Sequence, residues 1–207
     1  MSKLDLEHMG SMEYDVLREI GNIGAGNATT ALSQMVNLKI DMKVPKVELL
    51  EFKELSDIVG GAESLVVGIL LTLEGDIDGM MMFMMDKCSA RHIVNLLMNL
   101  DLEELEVEDF SEMDLSALQE IGNIIAGAYL SSLSQLTNMT IMSSVPYLSI
   151  DMAGAILSVP AIEFGKVGDK ALLIQSQFGE KEKEVNGYFI LIPSMNSYEK
   201  IMSSLGL

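Results

Sequence analysis

The chain is short of the residues from which disulfides and metal sites are built. Its 207 residues include one cysteine, Cys88, and two histidines, His8 and His92. A single cysteine cannot form an intrachain disulfide, and it favours a reducing compartment. Histidines this far apart in sequence do not suggest a metal site or a Ser-His-Asp triad. We therefore expect no metal site in this chain and interpret both histidines as surface residues.

Basic residues and long hydrophobic runs are also scarce. Thirteen Lys and Arg stand against 31 Asp and Glu, a formal charge of −18 that repels nucleic acid and anionic membranes. The longest apolar run, Met80 to Met85, is far shorter than the roughly 20 residues of a spanning helix. The N-terminal residues lack the pattern of a secretory signal. We expect a cytoplasmic protein with no nucleic-acid partner and no membrane insertion.

The chain is rich in self-similarity. Residues 15–45 and 116–146 agree at 15 of 31 positions without a gap, at an offset of 101 residues. Four positions with fixed spacing recur: Asp15, Glu19, Asn22 and Pro45 reappear as Ser116, Glu120, Asn123 and Pro146. Such a pattern predicts an internal duplication. We expect one domain, residues 1–207, made of two repeats (approximately 10–100 and 111–207) joined by an acidic linker around residues 100–114.

Each repeat is predicted to contain a long helix, an extended segment, a hairpin and a second helix. In the first repeat these are residues 12–37, 44–47, 65–85 and 88–100, with a Met-rich strand at 80–85 that we expect to have one exposed face. In the second, the long helix begins after a Ser111 cap and ends near 138, strands lie near 171–177 and 188–192 around a longer charged loop, and a helix starts at 197. The resulting fold class is α+β, an internally duplicated antiparallel sheet packed with long helices about a pseudo-two-fold axis.

The repeated polar residues fall on one face of each long helix. At 100° per residue, Asp15, Glu19, Asn22 and Gly26 lie within an arc of about 60°, opposite an apolar stripe that includes Leu17 and Ile20. The second copy places Ser116, Glu120, Asn123 and Gly127 together in the same way. Exposed positions carry no packing demand to match, so their agreement favours a function shared by both faces.

Glycines inside these helices also need an explanation, because each costs about 0.8–1 kcal/mol relative to alanine. Gly26 and Gly127 follow the Asn by one turn, where a missing side chain would leave room for a partner surface. Gly21 and Gly122 point inward and would allow close packing. A dinucleotide-binding loop is excluded because no strand precedes the glycines and their spacing differs from the dinucleotide motif.

An Asn amide can fix a water molecule by hydrogen bonds but cannot take its proton. A carboxylate one turn away can pair with a lysine on a partner. Together they suit a substrate that is already activated, and an aspartyl phosphate fits because its hydrolysis depends mostly on positioning an in-line water.

The pattern of Asp or Ser, Glu, Asn and a Pro separated from the Asn by 22 residues resembles the CheC, CheX and FliY family of chemotaxis response-regulator phosphatases, and it is met twice. The resemblance implies hydrolysis of phosphorylated CheY, with Asn22 and Asn123 orienting the water and Glu19 and Glu120 engaging a lysine of the regulator. Asp15, Ser116, Pro45, Pro146, Gly26 and Gly127 would support the motif. Mg²⁺ would belong to the regulator, so no cofactor is expected in this chain.

The resemblance also implies binding to the receptor deamidase CheD, for which Asp151 is our candidate contact residue. Two alternatives stay open. One is a non-catalytic binding module or adaptor for CheD or the flagellar switch, and the other is a structural repeat protein with no function on these faces.

Overall fold

Two long helices and an antiparallel sheet organise the protein. The computed structural model describes residues 11–36, 41–98, 109–164, 170–180 and 183–207. Its first part contains α1 (Ser11–Val36), β1 (Asp41–Glu51), α2 (Phe52–Ile58), β2 (Leu65–Gly75), β3 (Gly79–Asp86) and α3 (Lys87–Leu97). Its second part contains α4 (Glu112–Thr137), β4 (Ile141–Ser143), β5 (Tyr147–Met152), α5 (Ala153–Phe164), β6 (Lys170–Glu180), β7 (Lys183–Pro193) and α6 (Met195–Ser204).

The two long helices match the predicted ones. The predicted end of the first, Asn37, lies outside the described residues, as does most of the acidic linker. Ser111 caps α4 as predicted, since its side chain accepts a hydrogen bond from the backbone N–H of Asp114. The helix stops where Asn138 takes a left-handed conformation with φ of 55°.

The seven strands of the described residues belong to one sheet with the order β1-β6-β7-β3-β2-β4, and β5 also pairs with β2. Every pairing is antiparallel, which confirms the α+β fold class. The strand β1 pairs with the hairpin of the second part, and β4 and β5 pair with the hairpin of the first. The two parts therefore share one sheet, while the duplication and its pseudo-two-fold axis stay predictions.

Helices cover both faces of this sheet. One core contains residues of α1, α3, α4 and α6, and the other contains residues of α2 and α5. The Met-rich strand β3 contributes alternate residues to the two cores and is buried from Gly79 to Met85. The expectation of one exposed face for this strand was wrong, because a central strand between two helical layers has no solvent side.

Three further expectations need correction. The helices α2 and α5, which cover the second face, were not predicted. The loop after β6 is shorter than predicted, because β6 and β7 stay paired as far as Glu180 and Lys183. His92 is only 7% exposed, because residues 92–95 of α3 are all buried.

Both repeated prolines lie at irregularities on the edges of the sheet. The pairing of β1 with β6 shifts register between Lys43 and Lys46, on either side of Pro45. Pro146 lies in the break between β4 and β5. Proline lacks an N–H for the strand ladder, so edges and breaks are where a sheet tolerates it. Both prolines therefore lie where the sheet is irregular, and their part in shaping the segments that follow the long helices stays a prediction.

Among the residues described, no helix combines the length and the apolar character needed to cross a membrane.

Candidate active site

The face of α1 that carries the repeated polar residues is open to solvent. Asp15, Glu19, Asn22 and Gly26 are all exposed, while Leu17 and Ile20 are buried in the core. A Cβ atom added at Gly26 would meet no atom within 4 Å. The outward orientation predicted from helical periodicity is therefore confirmed for this face.

The same arrangement occurs on α4. Ser116, Glu120, Asn123 and Gly127 are exposed, and Leu118 and Ile121 are buried. A Cβ atom at Gly127 would also meet nothing within 4 Å. Each helix thus presents a Glu, an Asn one turn later, and bare backbone one turn beyond the Asn.

On α4 this face forms one wall of an open cleft of about 440 Å³. The other wall is the segment between β4 and β5. The cleft is lined by Ser116, Gln119, Glu120, Asn123, Ser143, Ser144, Val145 and Pro146. The Gln119 side chain lies 3.5 Å from the carbonyl oxygen of Pro146 and links the walls. The proline that recurs in sequence therefore lies opposite the Glu and Asn that recur with it.

Sequence reasoning missed four residues of this cleft: Gln119, Ser143, Ser144 and Val145. The one sign of their role in the sequence was that they stand next to Glu120 or just before Pro146. Ser144 fixes the segment between β4 and β5 to β2 by two hydrogen bonds. Its backbone N–H donates to the carbonyl oxygen of Thr72 at 2.9 Å, and its Oγ accepts from the N–H of Thr72 at 3.0 Å. That contact joins residues 72 positions apart, which no local pattern could reveal.

The face on α1 differs in its charges. Arg18 donates a hydrogen bond of 2.7 Å to Asp15, and both side chains are largely exposed. At the matching positions of α4 stand Gln119 and Ser116, which carry no charge. The Ser116 hydroxyl donates to the Glu112 carbonyl oxygen at 2.9 Å. The first motif position is thus engaged within its own helix in both copies, which distinguishes it from Glu and Asn.

Chemically, each face offers a Glu carboxylate and an Asn amide, and the α1 face adds the Asp15 carboxylate, which pairs with Arg18. Among the described residues, no group of three or more His, Cys, Asp or Glu side chains is arranged to hold a metal ion. An Asn amide has two donor hydrogens and an acceptor oxygen, so it can orient a water molecule. The arrangement is suited to positioning and to polar recognition.

A mostly buried ion pair anchors the beginning of α4. Arg91 of α3 donates a 2.9 Å hydrogen bond to the Asp114 carboxylate, and the two side chains are 12% and 11% exposed. The guanidinium also lies 4.3 Å from the centre of the Phe110 ring. Burial alone would raise the pKa of Asp114, but hydrogen bonds from Arg91 and Ser111 outweigh this effect. They hold the pKa below 3.8, the ordinary value of an Asp carboxyl.

Replacing Asp114 by Asn is expected to destabilise the protein at pH 7 by about 2 kcal/mol, because it removes charged hydrogen bonds from a sheltered site. A carboxyl whose folded pKa is lowered stabilises the fold above its unfolded pKa and loses that contribution as pH falls through the folded value. The deficit of Asp114→Asn should therefore shrink below pH 3.8. Urea unfolding at pH 7 and pH 3 measures this difference in unfolding free energy, with a substitution at an exposed carboxylate, Glu74→Gln, as control. A difference that is the same at both pH values would contradict the role given to the Asp114 carboxylate.

Glycines bring α1 and α4 together beneath the two exposed faces. A Cβ atom at Gly24 would come within 2.4 Å of the Tyr129 ring, so α1 packs on α4 only because this residue has no side chain. The Asn27 amide also donates a 3.1 Å hydrogen bond to the Ser132 hydroxyl. A Cβ atom added at Gly122 would lie 2.7 Å from Ile69 of the sheet, which confirms the predicted close packing at that position.

Asp151 is not part of either face. It lies near the end of β5, opposite Val66 of β2, and it is exposed. Its carboxylate accepts a hydrogen bond of 2.7 Å from the Met152 N–H.

Comparison with known proteins gives consistent results. Residues 12–49 match the CheC-like family, and residues 67–161 match the family described as chemotaxis phosphatase CheX. The chain is 39% identical to the CheY-P phosphatase CheC of Bacillus subtilis over 94% of both chains. It is 27% identical to the flagellar motor switch phosphatase FliY of that species, over 70% of this chain and 38% of that protein.

Solved structures share the fold. Thermotoga maritima FliY is 25% identical, covers 96% of this chain and 98% of its own, and superposes with a TM-score of 0.77. The CheX–CheY–BeF3–Mg²⁺ complex of Borrelia burgdorferi is 19% identical over 82% of this chain and 95% of the matched one, with a TM-score of 0.50. Because the chain is 39% identical to the B. subtilis CheC over 94% of both chains, it belongs to the CheC family.

Proposed function

We propose that this protein is a phosphatase that hydrolyses the aspartyl phosphate of the response regulator CheY. The observation that carries the proposal is the exposed Glu and Asn pair, which occurs with the same spacing on α1 and on α4. The name of the B. subtilis relative, a CheY-P phosphatase, supports the choice of substrate. The cleft on α4 supports it further, because it is open to another protein surface.

In this proposal Asn22 and Asn123 orient the attacking water. The oxygen of that water bonds to phosphorus as the bond between phosphorus and the aspartyl oxygen breaks. The water proton passes to solvent, and the products are inorganic phosphate and the free carboxylate. An acyl phosphate is already activated, so positioning the water in line supplies most of the catalysis.

Glu19 and Glu120 hold the regulator by pairing with a lysine beside its phosphorylated aspartate. A carboxylate and an ammonium group form a stronger hydrogen bond than neutral partners do, and docking excludes water from it. The Glu precedes the Asn by three residues, so both reach the same partner surface. Mg²⁺ is assigned to the regulator, where it neutralises the phosphoryl oxygens.

The supporting residues have distinct parts in this proposal. Pro45 sets the register shift in β1, and Pro146 sets the break between β4 and β5 and holds the segment that faces α4. Gly26 and Gly127 leave the space into which the regulator fits. Asp15 and Ser116 act within their own helix, through Arg18 and the Glu112 carbonyl.

Single substitutions test whether both faces are catalytic. Asn22→Ala and Asn123→Ala are each expected to leave the activity of the other face, so regulator decay stays faster than its intrinsic rate in both variants. Decay of acyl-phosphate-charged CheY is the measurement. A single variant that already returns decay to the intrinsic rate would contradict the two-site proposal. If the wild-type protein binds CheY but does not accelerate its decay, the protein is instead a non-catalytic binding module.

We further propose that CheD binds a surface that includes Asp151. The support is that Asp151 is exposed near the end of β5, where the next residue, Met152, and its pairing partner Leu65 on β2 are exposed apolar residues. A polar residue at the border of exposed apolar ones is typical of an interface rim. Asp151→Lys is expected to weaken CheD binding in a titration while CheY-P hydrolysis is retained. Unchanged CheD affinity would exclude this residue from the interface.

A further inference from the structure

The cleft on α4 has an apolar border. Val145 lines the cleft beside Asn123 and is 88% exposed. Tyr147, which follows Pro146, is 68% exposed. We call Val145 and Tyr147 the apolar rim. Large apolar side chains this exposed beside a site mark a surface that another protein covers.

The first site is charged at two corresponding positions and keeps the valine of the rim, since Val44 matches Val145. At the 101-residue offset, Lys46 matches Tyr147 and Arg18 matches Gln119. Lys46 forms an ion pair of 2.8 Å with Glu48, and Arg18 forms one of 2.7 Å with Asp15. The two sites thus share the Glu and Asn but differ in what surrounds them.

From this difference, and resting on the proposed function, we propose that the two sites hold the phosphorylated regulator by different chemistry. The second site binds an apolar patch of the regulator through Val145 and Tyr147, and the first site uses ionic contacts through Arg18 and Lys46. The occupant is the regulator, because Val145 and Asn123 line the same cleft and a regulator docked with its phosphoaspartate at Asn123 brings its surface to Val145.

The consequence is a difference in substrate binding. Covering the apolar rim contributes hydrophobic stabilisation to docking, so removing it should raise KM for the second site about tenfold. The chemical step depends on Asn123 and Glu120, so kcat should change by less than about twofold. Exposed charged contacts are screened by salt, so raising NaCl from about 0.05 to about 0.5 M should alter KM of the first site more than that of the second.

The test uses variants in which one site works at a time. Val145→Thr with Tyr147→Thr is introduced into Asn22→Ala, which keeps the second site, and into Asn123→Ala, which keeps the first. Threonine preserves the preference for extended backbone. We expect KM for phosphorylated regulator to rise in the Asn22→Ala background only. Met35→Gln with Leu136→Gln, two other exposed apolar residues at matched positions, is the control and should change neither background.

Three results would overturn the proposal: an unchanged KM, an equal change in both backgrounds, or a fall in kcat at constant KM. A larger salt response of the second site would also contradict it. Binding is measured separately with regulator activated by beryllofluoride, which does not turn over, and the rim variant should bind about tenfold more weakly than its Asn22→Ala parent. The binding measurement tests the apolar rim even if neither parent variant hydrolyses the aspartyl phosphate. Absence of hydrolysis in both parents would refute the proposed function and not the binding proposal.

Discussion

Replacing Gly26 and Gly127 together by leucine is expected to remove nearly all phosphatase activity while making the folded protein more stable. Both positions are exposed, and an added Cβ would meet no neighbouring atom. Glycine costs a helix about 0.8–1 kcal/mol, so two leucines should stabilise the protein by roughly 1.5 kcal/mol in total. A leucine side chain one turn beyond each Asn would hold the regulator away from the catalytic amide, and a displacement of about 1 Å can cost about a hundredfold in rate.

The prediction is checked by measuring CheY-P decay and urea unfolding on the same preparation. Each single substitution should silence its own face, so the Gly127→Leu variant should match Asn123→Ala in activity. Loss of activity together with loss of stability would mean that these glycines serve the fold, and full activity in the double variant would mean that no partner approaches this part of the helices.

A leucine two residues earlier should have the opposite effect. Gly24→Leu is expected to destabilise the protein by about 3 kcal/mol and to lower Tm by about 6–12 °C. Even a Cβ at this position would lie 2.4 Å from the Tyr129 ring. That ring is 2% exposed and stacks on Phe189 with centroids 4.2 Å apart, so it has nowhere to move. Relieving the overlap requires α1 to separate from α4, which breaks close packing between them.

Thermal and urea unfolding of Gly24→Leu and Gly26→Leu, side by side, measures this contrast. Both variants place the same residue in the same helix, so differences in helix propensity cancel. Equal stabilities would contradict the packing of α1 on α4. Circular dichroism at low temperature establishes that the Gly24→Leu variant still folds, and the milder Gly24→Ala serves if it does not.

Local patterns predicted the parts of the fold on which the proposal depends. Helical periodicity along α1 and α4 separated buried Leu17 and Ile121 from exposed Asn22 and Asn123, because each helix has one core side. Proline chemistry located the irregular segments at Pro45 and Pro146. The Ser111 cap was recognisable from its position before the helix.

Non-local pairing explains what the sequence did not reveal. The Met-rich strand β3 is buried on both faces only because α2 and α5 cover the second one. Helix α2 has seven residues, and α5 contains Pro160, so neither shows a clear helical pattern. The cleft on α4 depends on the pairing of β2 with β4 and β5, which brings Val145 and Ser144 next to Asn123.

The most direct test of the central claim is the decay of acyl-phosphate-charged CheY in the presence of the wild-type protein or the Asn22→Ala, Asn123→Ala double variant. Both side chains are exposed, so the double variant should fold normally, and circular dichroism provides that control. We predict that the wild-type protein accelerates decay and that the folded double variant leaves it at the intrinsic rate of CheY. Acceleration by the double variant equal to that of the wild type would contradict the assignment of these two amides to catalysis.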